Sequence, residues 1–285
     1  MSVLQSVLLG ILQGVAEFLP ISSSGHLTVA QALFGLDEVP VLFDVMLHLA
    51  TLAAVVIYFR KKIARLFQTL FRWIARKPQP EAQIDSTDLL SGTDELGKKT
   101  IIAVILATFV TAALGILTSK LIPELPIQFT CMGFLVTAGF LIFSSLYEKK
   151  QSSTESQNKG ISVLQALFVG FMQGIGTLPG ISRSGSTIAG AQLAKINRTA
   201  AGEFSFIISI PAILGAFVLE AKDLGEVSSS IGAIPVIAGC IAAFIAGYFS
   251  LACLMKLIKK GRLEFFAFYL VPLGIAGLIY FSNFS

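Results

Sequence analysis

The sequence predicts an all-α polytopic membrane protein, from its composition and from the length of its apolar runs. The 285-residue chain is 54% hydrophobic and only 13% charged, with a mean hydropathy of +0.80. Soluble domains carry about 25% charged residues, so most of this surface must face a solvent other than water. Backbone polar groups must be satisfied internally in lipid, and the sequence lacks the alternating polarity of transmembrane strands. The membrane-embedded elements are therefore expected to be helices.

Six apolar runs approach the ~20 residues that a helix needs to cross a bilayer. They cover 41–59, 100–119, 127–146, 203–221, 231–255 and 264–283. Two further apolar regions, 1–35 and 161–196, are each interrupted in the middle by a serine-rich stretch, which leaves halves too short for a full crossing. Such halves suit a re-entrant hairpin that enters the membrane and turns back. The sequence thus predicts six full transmembrane helices plus two re-entrant helical hairpins.

Basic residues orient the chain, because cytoplasmic loops are enriched in Lys and Arg. When the strongly basic loop at 60–99 is placed in the cytoplasm, all but three of the 21 Lys and Arg residues fall on that side. The exceptions are Lys120, Arg183 and Lys222. The first part of the loop combines basic with aromatic residues, and we expect it to lie on the membrane surface.

The two interrupted regions are copies of each other. A shift of 160 positions aligns Ser2-Val3-Leu4-Gln5 with Ser162-Val163-Leu164-Gln165, and Ile21, Ser22, Ser24 and Gly25 with Ile181, Ser182, Ser184 and Gly185. Three predicted crossings separate the copies, and an odd number gives them inverted topology. The first hairpin then opens outward and the second toward the cytoplasm. Their polar tips are therefore expected to meet near the middle of the membrane.

This repeat divides the chain into two halves of a single integrated membrane domain. The first half, 1–147, holds the hairpin at 1–35, three spans and the cytoplasmic loop at 60–99. The second, inverted half, 161–285, holds the hairpin at 161–196 and the other three spans. Broken helices of inverted repeats commonly build one polar site between them.

Polar and ionisable side chains cluster at the tip of the first hairpin. Gln13 and Glu17 are four residues apart and share one face of a helix. The break after this helix carries four more polar residues: Ser22, Ser23, Ser24 and His26. A serine near a histidine and a carboxylate is typical of an activated nucleophile. Alternatively, Glu17 and Gln13 can hold a divalent cation through their oxygens.

The tip of the second hairpin, LPGISRSGST at 178–187, has the residues of a phosphate-binding turn. A glycine-flanked turn that leads into a helix offers free backbone N–H groups to an anion. Arg183 adds a planar donor that matches phosphate oxygens. Hydroxyl groups surround it, at Ser182, Ser184, Ser186 and Thr187. We interpret this tip as a phosphate cradle, with a plain helix-capping turn as the alternative.

Both tips resemble known motifs. QGVAEFLPISSSGH at 13–26 and LPGISRSGST at 178–187 resemble the two signature motifs of the undecaprenyl-diphosphate phosphatases of the bacitracin-resistance type. The segments FDVMLHLAT and EFSFIISIPAILGA are also similar to this family, and the resemblance covers essentially the whole chain. It implies a membrane enzyme that removes the terminal phosphate of undecaprenyl diphosphate. Such an enzyme recycles the lipid carrier for cell-wall synthesis and confers bacitracin resistance.

The resemblance also implies a cofactor, partners and a location. Members of the family require a divalent cation, usually Mg²⁺ or Ca²⁺, and act at the outer, periplasmic face of the bacterial cytoplasmic (inner) membrane. The expected partners are the isoprenoid diphosphate substrate and membrane lipids, without nucleic acid. A glycine- and alanine-rich run, Gly232 to Gly247, predicts close helix contacts and suits a homodimer interface.

The motif at the first tip carries family roles onto particular residues. Ser23 corresponds to the proposed nucleophile or proton-transfer partner, and His26 to its general acid or base. Gln13 and Glu17 correspond to the acidic motif, the expected cation ligands. Gln13 departs from the usual carboxylate, which leaves Glu17 as the one formal charge at this position.

Phosphate binding is expected from both tips. The family's phosphate-binding loop corresponds to Ser182, Arg183, Ser184 and Thr187. Arg183 is also expected to neutralise phosphate charge during catalysis. Ser22 and Ser24 are expected to add phosphate-binding hydroxyl groups from the first tip.

A secondary transporter or flippase of a lipid phosphate is the main alternative function. Inverted repeats with broken helices are typical of transporters, and a transporter of this kind also needs a phosphate site. It does not need the serine, histidine and carboxylate of the first tip. A purely structural scaffold is disfavoured, because ionisable groups inside a membrane are costly and usually functional.

Three further ionisable residues admit structural interpretations. Asp44 and His48 are four residues apart in a predicted span. They form either a pair that lines the cavity or a histidine satisfied within the core. Glu203 begins another span, where the helix dipole stabilises a negative charge.

Overall fold

The computed structural model describes residues 1–36, 39, 41–77, 88, 90–121, 125–150, 160–220 and 232–283. Within these ranges the chain forms eleven helices and no strand, which confirms the predicted all-α class. In chain order they are α1 (Val3–Phe18), α2 (Ser23–Leu33), α3 (Val41–Tyr58), α4 (Arg60–Ile74), α5 (Asp94–Leu121), α6 (Ile127–Lys150), α7 (Val163–Ile175), α8 (Arg183–Leu193), α9 (Arg198–Glu220), α10 (Ala233–Lys260) and α11 (Phe265–Asn283).

Five helices, α5, α6, α9, α10 and α11, are long and apolar enough to cross a membrane. Helix α3 meets the same criterion together with α4, from which it is bent by 78°. These elements coincide with the six predicted spans, so the chain is a multi-pass membrane protein. The helices extend further than the apolar runs: α5 begins at Asp94, and α10 continues until Gly261, whose φ of 65° ends it.

Helix α4 departs from the direction of the spans and is tied to the rest of the molecule by ion pairs. It is basic and exposes Phe67 and Phe71. Lys62 Nζ lies 2.6 Å from Glu203 Oε2 on α9 and 3.0 Å from Asp88 Oδ1. Glu203 therefore pairs with a lysine. Helix α9 begins at Arg198, so Glu203 lies beyond its first turn and does not begin the span as expected. The placement of α4 on the membrane surface stays a prediction.

The two interrupted regions fold into pairs of short helices that pack on each other, α1 with α2 and α7 with α8. These helices have 16, 11, 13 and 11 residues, fewer than the ~20 of a full crossing. Helices α1 and α7 begin with the same capping box, formed by Ser2 with Gln5 and by Ser162 with Gln165. The local structure thus repeats as the sequence does. The inverted orientation of the copies and the division into halves stay predictions.

Each hairpin packs its first helix against a long helix from the other half of the chain, α1 on α10 and α7 on α5. A methyl group at Gly10 would collide with the Gly239 carbonyl, and one at Gly170 with the Ala107 carbonyl. Small residues permit this close approach of helix backbones. Glycines of the run that suggested a dimer interface are thus used inside the chain. The homodimer stays a prediction without support from them.

Buried aromatic side chains surround the two hairpin tips. Phe18, Phe134 and Phe206 belong to the largest apolar cluster of the described residues and are each at most 4% exposed. The second tip approaches α6 through Gly180, which has a φ of 77° and lies against the Thr130 carbonyl, where a side chain would collide. Glycine is required there both by the backbone conformation and by the contact.

Candidate active site

Glu17 lies in the last turn of α1, just before the helix is ended by a proline. Leu19 takes an extended conformation, φ −60° and ψ 140°, because the residue before a proline such as Pro20 is disfavoured in the helical region. The break therefore comes directly after Phe18 and leaves Glu17, only 7% exposed, at the tip of the hairpin. A buried carboxylate is costly unless hydrogen bonds and an opposite charge compensate it.

Four side chains surround the Glu17 carboxylate. Its Oε2 accepts hydrogen bonds from Gln13 Nε2 at 3.0 Å and from Ser23 Oγ at 2.6 Å. Its Oε1 accepts a hydrogen bond from Arg183 Nη2 of the second hairpin, within an ion pair. His48 Nε2 on α3 lies 3.6 Å from Oε2. The two tips, 166 positions apart along the chain, therefore meet at one carboxylate, as the repeat led us to expect.

Ser23 and Arg183 occupy equivalent positions in the two hairpins. Each is the first residue of its helix, α2 or α8, and each follows a serine that caps the helix. The Oγ of each cap, Ser22 or Ser182, accepts the N–H group three residues on, at 3.3 and 3.0 Å. Helix N-termini carry partial positive charge. Two of them converge here with a guanidinium group, an arrangement that suits an anion.

His26 is held by groups other than Ser23. Its Nδ1 lies 2.8 Å from the Ser22 carbonyl oxygen, which can only accept, so in the neutral ring Nδ1 carries the proton and Nε2 accepts from Tyr269 Oη at 2.8 Å. The ring also stacks on Tyr269 and packs against Phe134. These contacts support Ser22 at a φ of 71°, unusual for a residue other than glycine. His26 thus positions the turn before Ser23, and its role as general acid or base stays a prediction.

Ser182 and Thr187 of the second tip are engaged in hydrogen bonds inside the protein. The Ser182 N–H donates to Thr137 Oγ1 on α6 at 2.9 Å. Thr187 Oγ1 donates to the Arg183 carbonyl at 2.8 Å and contacts Ser205 Oγ on α9. Ser182 is 1% exposed and Thr187 is fully buried. Both residues hold the turn that presents Arg183, and their direct contact with phosphate stays a prediction.

The other predicted phosphate ligands differ in access. Ser184 Oγ reaches the first tip, where it donates to the Leu19 carbonyl at 3.4 Å. Ser22 is 2% exposed, and its Oγ is used in the helix cap. Ser24 is exposed and accepts a hydrogen bond from Thr28 through its backbone carbonyl. Their contacts with phosphate also stay predictions.

A small cavity lies beside the Glu17–Arg183 pair. Its volume is about 10 Å³, space for about one water molecule. Six polar side chains line it: Glu17, Thr51, Arg183, Ser184, Ser205 and Ser209. A diphosphate group is much larger than a water molecule. Arg183 and Glu17 must therefore separate before such a group can reach both helix N-termini.

The donor atoms at Glu17 fit a divalent cation. Gln13 Oε1 is buried and has no hydrogen-bond partner among the described residues, and it belongs to the amide that already bonds Glu17. Carboxylate and amide oxygens are the ligands that Mg²⁺ and Ca²⁺ prefer. In the part of the chain that the structure describes, no three His, Cys, Asp or Glu side chains group as a metal site. A cation here would share its coordination with substrate oxygens and water, as Mg²⁺ commonly does.

Four residues that support the site were not among the predicted ones. His48 was left with two interpretations, and the structure places it at Glu17. Ser205 belongs to a segment similar to the family, which was the available signal for it. Tyr269 and Thr137 lie in apolar spans far from both motifs. No pattern in the sequence marked these two as partners of His26 and the second tip.

The fold and the site define a class: a polytopic helical membrane protein in which two short-helix hairpins meet at a buried carboxylate–arginine pair. The family model of the bacitracin resistance protein BacA matches residues 6–276. The chain belongs to this family.

Named relatives extend over the whole chain. It is 46% identical over 285 residues to an undecaprenyl-diphosphatase of Treponema denticola, with 100% of both chains covered. It is 36% identical over 284 residues to the enzyme of that name from Carboxydothermus hydrogenoformans, covering 98% of this chain and 97% of the relative. It is 37% identical over 289 residues to the one from Methanosphaera stadtmanae, covering 98% of each chain.

Proposed function

We propose that this protein is an undecaprenyl-diphosphate phosphatase, which hydrolyses undecaprenyl diphosphate to undecaprenyl phosphate and orthophosphate. Membership of the BacA family and the names of the relatives support this function. The structural observation that carries it is the single carboxylate of Glu17, shared between the Ser23 hydroxyl and the Arg183 guanidinium. The reaction returns the lipid carrier to cell-wall synthesis, and it accounts for bacitracin resistance as the family's name implies.

Ser23 is the proposed nucleophile and Glu17 its base. The hydroxyl already donates to the carboxylate at 2.6 Å, within the distance at which a general base takes a proton. Ser23 Oγ attacks the terminal phosphorus while Glu17 accepts the proton, and the bond from that phosphorus to the bridging oxygen breaks. Undecaprenyl phosphate leaves, and water then releases orthophosphate from the serine. Direct attack by a water molecule that Glu17 activates is the alternative.

Arg183 is the proposed phosphate-binding group. Its planar guanidinium matches the oxygens of a phosphate and cannot be deprotonated. In the free protein this guanidinium, carried by the first residue of α8, is paired with the Glu17 carboxylate. When a diphosphate binds, we expect the guanidinium to turn to the phosphate oxygens. Charge that develops in phosphoryl transfer is stabilised mainly by such prepositioned groups.

We propose Mg²⁺ or Ca²⁺ as the cofactor, with Glu17 and the Oε1 of Gln13 as its protein ligands. The unpartnered Gln13 oxygen and the adjacent carboxylate support this choice. When bound, the cation supplies positive charge to phosphate oxygens. Gln13 and Glu17 would hold it from α1, which packs against α10.

The substrate and the apolar surface together suggest a location. We propose that the protein resides in the bacterial cytoplasmic membrane with its site open to the outer, periplasmic face. The exposed apolar side chains of α5, α10 and α11 are suited to contact membrane lipids. The isoprenoid tail of the substrate would lie between apolar helices, while its diphosphate reaches the tips.

Transport of a lipid phosphate is the second candidate, favoured by the paired broken hairpins. Purified protein in detergent, mixed with undecaprenyl diphosphate and Mg²⁺, separates the two functions. We expect release of orthophosphate that stops on chelation and falls more than about 100-fold in Arg183→Ala. Thr28→Ala, an exposed change on α2, should keep full activity. Absence of orthophosphate release, with lipid phosphate moving across reconstituted vesicles, would favour the transporter.

A further inference from the structure

The neutral His48 ring and the Glu17 carboxylate present acceptor atoms to each other. His48 Nδ1 lies 2.7 Å from the carbonyl oxygen of Asp44. A carbonyl can only accept, so Nδ1 carries the proton and the neutral ring keeps a lone pair on Nε2. That atom faces Glu17 Oε2 at 3.6 Å. Two lone pairs at this distance repel unless a positive species lies beside them.

Rotation of the Gln13 amide would add a third acceptor at Glu17. The residue is fully buried, and its Nε2 donates to Glu17 Oε2 at 3.0 Å. Its Oε1 has no partner among the described residues, which is unfavourable for a buried polar atom. A half-turn of the amide exchanges the two atoms and brings Oε1 to the carboxylate. The three side chains then offer two oxygens and one nitrogen toward a common point.

The hydrogen bond at Nδ1 is itself typical of a metal-bound histidine. A ligating imidazole usually donates its other N–H to a carboxylate or backbone carbonyl, which fixes the tautomer and the ring orientation. Asp44 supplies that carbonyl one helical turn before His48 on α3. The His48 side chain is 27% exposed, so a cation can reach Nε2. Arg183 pairs with the other carboxylate oxygen, Oε1, while Oε2 faces His48 and also accepts from Ser23 and Gln13.

We propose that His48 is a further ligand of the cation, bound through Nε2 together with Glu17 and Gln13. This inference rests on the cation of the proposed function. A nitrogen ligand widens the choice of metal, because imidazole suits transition metals whereas Mg²⁺ and Ca²⁺ prefer oxygen. Mn²⁺, which accepts both, should bind at least as well as Mg²⁺. The histidine thus sets which cations the site accepts.

Electron spin-echo envelope modulation of Mn²⁺ bound to the full-length protein tests this directly. We expect the nitrogen coupling of a coordinated imidazole. The chain has two histidines, so the source can be assigned. His48→Gln should remove the coupling, and His48→Leu, which offers no ligand atom, should also weaken Mn²⁺ binding by about tenfold or more, whereas His26→Gln should keep the coupling. His48→Asp should restore binding without the nitrogen signal.

Several results would overturn the assignment. They are bound Mn²⁺ without nitrogen coupling, coupling that survives His48→Gln, and a protein that binds no Mn²⁺. The last would also contradict the cation of the proposed function. The spectrum is read without turnover. A protein that releases orthophosphate but lacks the nitrogen signal therefore contradicts this inference alone, and a nitrogen signal without release contradicts the proposed function alone.

Discussion

Ser23 Oγ and Arg183 Nη2 donate to the two different oxygens of the Glu17 carboxylate, Ser23 to Oε2 at 2.6 Å and Arg183 to Oε1. Both donors stand at the first residue of a short helix, in hairpins that derive from a sequence repeat. The proposed nucleophile and the proposed phosphate ligand are therefore held by one residue, Glu17. In the free protein this carboxylate occupies the position that suits an anion.

Glu17→Gln should separate catalysis from anion binding. Loss of the base and of a cation ligand should lower phosphate release by more than about 100-fold. Without the carboxylate, Arg183 is no longer engaged in an ion pair, and an anionic ligand is no longer repelled by the negative charge of Glu17. Orthophosphate binding measured without cation should then tighten about tenfold, since one unit charge at close range is worth more than about 1 kcal/mol. Glu203→Gln, which removes a carboxylate paired with Lys62, should leave this binding unchanged. Weaker phosphate binding in Glu17→Gln would argue against an occupied anion site.

Arg183→Ala should destabilise the protein through Glu17. Removing one partner of a buried ion pair leaves an uncompensated charge, at a cost of about 3–5 kcal/mol. The double variant Arg183→Ala/Glu17→Gln should recover most of that loss, because no buried charge remains. Thermal unfolding of the wild type, the two single variants and the double variant in one detergent gives the coupling energy between Arg183 and Glu17. Additive effects of the two changes would show that the pair does not contribute as described.

Gly10→Ala should loosen the packing of α1 on α10. A methyl group there collides with the Gly239 carbonyl, a backbone atom that cannot rotate away. Overpacking of this kind costs about 1–3 kcal/mol, and α1 carries Gln13 and Glu17, so activity should fall as well. Gly139→Ala is the matched control on α6, because its added methyl group meets nothing within 4 Å. Alanine there should be neutral or slightly stabilising, by up to about 1 kcal/mol. Equal unfolding temperatures for the two variants would contradict the close contact.

Acid should destabilise the turn that precedes α5, through protonation of Asp88. Burial alone raises the pKa of this carboxyl group, but hydrogen bonds from Ser91 and the Leu90 N–H, together with Lys62, hold the pKa below its ordinary value of 3.8. Because the pKa is lower in the folded than in the unfolded protein, the ionised Asp88 carboxylate stabilises the folded protein at pH values above 3.8. This stabilisation is lost as the pH falls through the pKa of the folded protein. Below about pH 4, the unfolding temperature should therefore fall more steeply with pH in the wild type than in Asp88→Asn. Parallel pH dependence in both proteins would exclude Asp88 as the cause.

Much of the fold could be predicted because membrane spans depend on composition and length. The apolar runs predicted the spanning elements, and the proline and serine interruptions predicted where α1 and α7 end. The shared motifs also predicted that the two tips meet, which the Glu17–Arg183 pair confirms. These features follow from the periodicity and local chemistry of the chain alone.

Side-chain partners across the fold could not be predicted in the same way. His26 follows Ser23 by three residues, yet its ring turns to Tyr269, 243 positions away. His48 instead reaches Glu17, because α3 packs beside α1. From the sequence, the glycines of α10 suit an interface between chains as well as a contact within one chain. The structure places Gly10 against Gly239, a contact within the chain. Each of these outcomes depends on which helices become neighbours, which a single sequence does not reveal.

The most direct test of the central claim is to look for phosphate on Ser23 during turnover. Protein mixed with undecaprenyl diphosphate and Mg²⁺ is stopped with acid after milliseconds, and its peptides are analysed by mass spectrometry. We predict a phosphorylated peptide that contains Ser23, absent from Ser23→Ala, whose phosphate release should also fall at least about 100-fold. Near-normal orthophosphate release by Ser23→Ala would contradict the role assigned to the serine that Glu17 holds.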